Sequence, residues 1–164
     1  MSGKKFKLWH SLAGTAALLA VEWVVLVAVR GTMWDVAFLL AAALVGAVGN
    51  LYVATEIVEE VQGASHMFVL LSITTAEFVA FFAFQFGFLL MLAPGSYPTL
   101  PPDAASLALQ SVMVFVFNPL YIPATSAGRL LLLVETLGAL GLVLFILQNV
   151  SQFRRGRPPT PETL

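Results

Sequence analysis

The sequence predicts an all-α membrane protein with four transmembrane helices and one shorter, re-entrant half-helix. Three observations carry this. Only 10% of the 164 residues are charged, 59% are hydrophobic and the mean hydropathy is +0.91; soluble domains carry about 25% charged residues. Four apolar runs each supply the roughly 20 residues that a bilayer-spanning helix needs. Between the third and fourth lies an apolar run too short to cross, bounded by proline-containing loops.

The first run, 8–29, follows Lys4, Lys5 and Lys7 and contains Glu22. With that length of apolar sequence behind it, MSGKKFKLWH reads as the start of a membrane anchor rather than a cleaved leader. The turn RGTMWD leads into the second run, 34–55, and EIVEEVQGASH into the third, 67–92, which holds Glu77 and Gln85. The fourth, 130–150, holds Glu135 and is followed by Arg154, Arg155 and Arg157. Basic flanks stay in the cytoplasm, which puts both termini there, as an even number of spans requires. The closing RPPTPETL reads as a disordered tail. Trp9 and Trp34 sit where interface anchors belong. Gly46 with Gly49, and Gly138 with Gly141, allow close helix contact or bending.

The segment joining the last two spans is the informative one. APGSYPTLPPD, 93–103, is an outer loop, and AASLALQSVMVFVF, 104–117, is the half-helix. Asp103 is its expected N-cap, and Asn118-Pro119 its expected stop, because proline cannot continue the hydrogen-bond ladder. Irregular backbone at membrane depth is tolerated only where protein or a water-filled cavity surrounds it. In a chain this small, that points to copies assembled about a shared axis.

Composition also excludes functions. A net charge of −1 offers no basic field for nucleic acid. Absence of cysteine removes disulfides, thiol catalysis and thiolate metal sites, and the two histidines, His10 and His66, lie far apart. No nucleophile–base pair, metal-ligand cluster or phosphate loop is visible, so neither an enzyme nor a cofactor or metal is expected. The first two spans hold no repeated Lys or Arg as a voltage sensor would, and so read as a scaffold.

The polar residues inside apolar sequence each have two readings. Glu22, Glu77 and Glu135 are functional carboxyls or interhelix packing bonds. Arg129 pairs with Asp103 or Glu135, or reaches to the outer interface. Asn118 contributes to a polar ring or turns the chain before Pro119. Phe115 and Phe117 form a hydrophobic constriction or pack the back of the half-helix. Glu56, Glu59 and Glu60, on one helix face, bind cations or are simply solvated.

The order span, outer loop, half-helix, irregular loop, span is joined to the string Pro123-Ala124-Thr125-Ser126-Ala127-Gly128-Arg129, then Glu135, Gly138 and Gly141. Over roughly residues 66–155 this resembles the pore module of the tetrameric potassium-channel superfamily, whose inner helix often opens on P-x-T-x-x-G-R. The resemblance implies a two-helix scaffold over 1–62, a pore module over 63–153 and a cytoplasmic tail over 154–164. It implies a homotetramer in the plasma or inner membrane, with lipid and inorganic ions as its partners. Phe115, Val116, Phe117, Asn118 and Pro119 then occupy the filter position. Arg129, Glu135 and Asp103 support the pore, and Gly138 and Gly141 serve as a gating hinge. The filter itself departs from the family pattern T-V-G-Y-G. A cage of successive inward carbonyls needs backbone conformations that glycine tolerates, and 115–119 holds none. The expectation is an ion channel with weak or non-potassium selectivity. The alternatives are a non-conducting structural or regulatory subunit of the same fold, and a small proton-coupled transporter, although no inverted repeat is visible.

Overall fold

A computed structural model describes residues 8–28, 34–60 and 64–155. It is all-helical, with no strand among the described residues. The helices are α1 (Leu8–Ala28), α2 (Trp34–Glu60), α3 (Ala64–Leu92), α4 (Ala104–Phe115) and α5 (Ser126–Arg155), and a 3-10 turn, Pro94–Ser96, lies between α3 and α4. Four helices are long and apolar enough to cross a membrane; α4, at 12 residues, is not.

The apolar lengths locate the spans, whereas capping chemistry sets their ends. The last helix begins at Ser126 rather than near 130, because Thr125 caps it: its Oγ1 accepts a hydrogen bond from Gly128 N at 3.2 Å. The half-helix stops at Phe115 rather than 117, for a reason given below. α2 continues past 55 to Glu60, and α5 runs to Arg155, into the expected tail. The rest of that tail, the expected boundary at 62–63 and the Trp9 side chain lie outside the described residues.

α2, α3 and α5 pack together as the body of the molecule, α4 lies against α3 and α5, and α1 packs on α2 and α3. The core is built on α3's aromatic ladder. Phe78, Phe81, Phe82 and Phe86 are all buried, with Phe78 and Phe82 centroids 4.8 Å apart and Phe81 edge-on to Phe82 at 5.4 Å. Lipid tails are as apolar as leucine, so helices in a bilayer gain by close approach and by hydrogen bonds rather than by hiding apolar surface. Glycine provides that approach here. A Cβ on Gly46 of α2 would fall 2.2 Å from the Phe81 ring, and one on Gly138 of α5 would fall 3.0 Å from Phe78 and 3.2 Å from Ala47. α2 thus shares one core with α3 and α5.

Candidate pore-loop site

The site is the loop between α4 and α5 together with the side chains that hold it. Asp103 caps α4, its Oδ1 accepting from Ser106 N at 2.9 Å. The side-chain hydrogen bond with Ser106 holds this carboxyl below its usual range. At the other end, Asn118 N donates to Met113 O and Phe117 N to Val114 O, both at 2.8 Å. Those two bonds are a Schellman motif, in which the residue after the cap turns left-handed. That residue is Phe117, with φ 61°. Glycine would be expected there; a phenylalanine takes its place. The helix therefore ends by turning back on itself before Pro119 is reached.

Beyond the turn, Gln110 holds the chain. It is fully buried. Its Oε1 accepts from Tyr121 N at 3.0 Å and from Leu120 N at 3.2 Å, and its Nε2 donates to Tyr121 O at 3.1 Å. One side-chain amide thus satisfies three backbone groups. Ala124 N donates to Ser96 O at 2.8 Å, and Thr125 Oγ1 donates to Ser96 Oγ at 3.0 Å. Tyr97, buried against Phe86, donates its hydroxyl to Gly128 O at 2.9 Å. Burial is the larger cause that raises the Tyr97 hydroxyl above its ordinary pKa. Gly128 allows this crossing: a Cβ there would lie 2.8 Å from Pro123 Cβ, 3.1 Å from the Tyr97 ring and 3.2 Å from Ser96 O. Thr125 and Gly128 in the P-x-T-x-x-G-R string therefore each have a local structural task, and Pro123 packs closely against Gly128.

Between these anchors the chain is open. Val116, Phe117, Asn118, Pro119 and Leu120 are exposed. Among the described residues, the carbonyls of Val116, Phe117, Asn118 and Pro119 accept no hydrogen bond. Phe115 differs from its neighbours: its ring lies edge-on to Phe78 of α3 at 5.9 Å. The two phenylalanines thus divide, Phe115 packing on the back of α4 and Phe117 standing in the open segment.

Behind the loop, Glu135 is fully buried and meets α4 through Ser111, whose Oγ is 2.5 Å from Glu135 Oε1 and 2.9 Å from Val79 O. Arg129 is exposed and, among the described residues, pairs with neither Asp103 nor Glu135. Of the two readings of Arg129, pairing with Glu135 is disfavoured by helix geometry, since positions 129 and 135 lie about 120° apart around α5. α5 continues unbroken through Gly138 and Gly141.

The other two intramembrane carboxyls lie on the far side, between α1 and α3. Ser11 and Thr15 both donate to Glu77, Ser11 at 3.0 Å to Oε2. Gln85 Nε2 donates to Glu22 Oε2 at 2.7 Å. Of the acidic face on α2, Glu56 accepts from Tyr52 Oη at 2.6 Å and Glu59 is exposed, while the Glu60 side chain lies outside the described residues. Sequence reasoning passed over Gln110, Ser96 and Tyr97. Gln110 carried a signal: with Ser111 it is the only polar pair in the apolar run 107–117.

Comparison of the chain with protein families, characterised proteins and solved structures finds no match.

Proposed function

We propose that the chain assembles as a fourfold ring in the plasma or inner membrane, with both termini cytoplasmic. Its pore is formed by the loop 116–125 and the outer end of α5. The function this supports is an ion channel of potassium-channel-like architecture that lacks the potassium filter and passes inorganic ions with weak or non-potassium selectivity.

The observation that carries the reading is the row of unbonded carbonyls from Val116 to Pro119, held open by Gln110 on one side and by Ser96 and Thr125 on the other. A backbone carbonyl without a partner needs water, an ion or a donor from another chain. A wet axis supplies the first two. From 104 to 128 there is no Asp, Glu, Lys or Arg, so no charged ring sets selectivity. The C-terminal end of α4 points its partial negative charge at the loop, a modest preference for cations. Phe117, half-exposed in the open segment, is the residue placed to narrow such a pore.

Flux assays in liposomes test this. The wild type is expected to pass small cations with little discrimination between sodium and potassium, and Phe117→Ser to pass them faster. Strong potassium selectivity in the wild type would overturn the filter argument. An assembled ring that passes nothing, in wild type and variant alike, would transfer the reading to a non-conducting subunit with the same fold.

A further inference from the structure

Glu22 and Gln85 face each other across the α1–α3 contact, and both are fully buried. One hydrogen bond joins them, from Gln85 Nε2 to Glu22 Oε2 at 2.7 Å. It leaves one oxygen on each side chain, Glu22 Oε1 and Gln85 Oε1, buried without a partner among the described residues. An ionised carboxylate offers only acceptors, and an amide oxygen is an acceptor too. The pair is therefore short of one donor hydrogen and has two acceptors waiting for it. A carboxylic acid supplies that hydrogen. Its O–H donates to the amide oxygen while the amide N–H donates to the acid's other oxygen, and two planar groups then close a ring with every buried atom used. Turning the amide over would set its oxygen against Glu22 Oε2, and a proton would again have to lie between them.

Among the described residues, the surroundings give no cation to hold the charged form. α1 packs on α2 and α3. Among the described residues the basic side chains of these three helices are His10 and His66. His10 is about 18 Å from Glu22 along α1, and His66 about 28 Å from Gln85 along α3, at the rise of an α-helix. The other titratable groups on the packed elements are Glu77 on α3, Asp35, Glu56, Glu59 and Glu60 on α2, and Tyr52 on α2; none of these carboxyls would offset a negative charge. A buried carboxylate with one hydrogen bond and no counter-charge is costly. Glu77 makes the contrast: two hydroxyls, those of Ser11 and Thr15, donate to it, so its partners supply the donors that Glu22 lacks.

We propose that Glu22 holds a proton in the folded protein and closes a two-bond acid–amide ring with Gln85, so that the α1–α3 contact is a buried proton-binding site. The site stands apart from the pore reading: α1 packs on neither α4 nor α5 among the described residues.

Infrared spectroscopy of the purified full chain in lipid nanodiscs at neutral pH distinguishes the two forms, because a protonated acid shows a single carbonyl stretch and a carboxylate a pair of lower bands. Glu22→Gln is expected to remove an acid carbonyl band and leave the carboxylate bands unchanged, and that band is expected to survive in Glu77→Gln. Loss of carboxylate intensity instead would overturn the proposal. Denaturation gives a second reading. An amide at position 22 can still form two bonds with Gln85, so Glu22→Gln should keep the wild-type midpoint while Gln85→Leu lowers it. Equal losses in both variants would overturn the ring.

Discussion

Phe117 shows how much of this site is decided by one dihedral angle. It is the only non-glycine among the described residues with positive φ. A left-handed backbone brings Cβ close to the following carbonyl oxygen and costs roughly 1–2 kcal/mol for an ordinary residue. The side chain is half-exposed, so little core packing depends on it. Phe117→Gly should therefore stabilise the folded chain, by about 1 kcal/mol, visible as a higher midpoint in denaturant titration of the detergent-solubilised protein. A lower midpoint would mean that the ring buries enough surface in the assembled state to outweigh the strain. The sequence could only half prepare for this. Lack of glycine argued against a potassium cage, but the Schellman turn that forces one residue left-handed depends on where α4 ends, and an all-apolar run does not mark that point. Glu135 has the same character. Its burial was legible from its place in an oily run, whereas its partner, Ser111, is set by how α4 lies on α5.

At the scale of the helix, the spans were readable because length and hydropathy are one-dimensional properties. Packing faces were not. α3 is apolar nearly all round, so periodicity cannot say that Phe81 points at α2 while Phe84 points outward. Small residues are the better guide in a bilayer, yet sequence alone gave Gly46 and Gly49 equal standing. The structure separates them. A Cβ at Gly46 collides with the buried Phe81 ring, and one at Gly49 meets nothing within 4 Å. Gly46→Ala should destabilise the α2–α3 contact by about 1–3 kcal/mol, the usual cost of overpacking. Gly49→Ala should leave the midpoint in place or raise it slightly, since alanine is the better helix former. Equal effects of the two would mean that α2 and α3 do not approach this closely. The junction before α5 follows the same logic: Gly128 is required because Pro123, Tyr97 and Ser96 converge on it, a convergence that the spacing P-x-T-x-x-G marks but does not explain.

For the whole molecule the question is which surface demands another protein chain. Leu130, Leu133, Leu137, Leu140, Leu144 and Leu147 make an exposed stripe along α5. The stripe alone demands nothing, because lipid tails cover leucine as well as protein does. The loop is different: if the proposed re-entrant placement holds, its unbonded carbonyls from Val116 to Pro119 cannot face lipid. Copies arranged about an axis through the loop would satisfy it, and an identical head-to-tail contact whose rotation closes around that axis makes a ring, the assembly proposed above. The natural chain has no cysteine, so single cysteines report proximity without background. On the proposed ring, Asn118→Cys, in the open segment, should form disulfide-linked dimers under mild oxidation in membranes, because that arrangement brings copies of the loop together at the axis. Val24→Cys is also at an exposed position, but it sits on α1, which packs on α2 and α3 and, among the described residues, on neither helix flanking the loop. It should stay monomeric in the same assay. Efficient cross-linking through Val24→Cys with none through Asn118→Cys would put the axis on the α1 side and remove the loop from the pore. Neither variant linking, with the protein a monomer in mild detergent, would leave the carbonyls of Val116 to Pro119 to be covered by some other chain, and the ring would have to be given up.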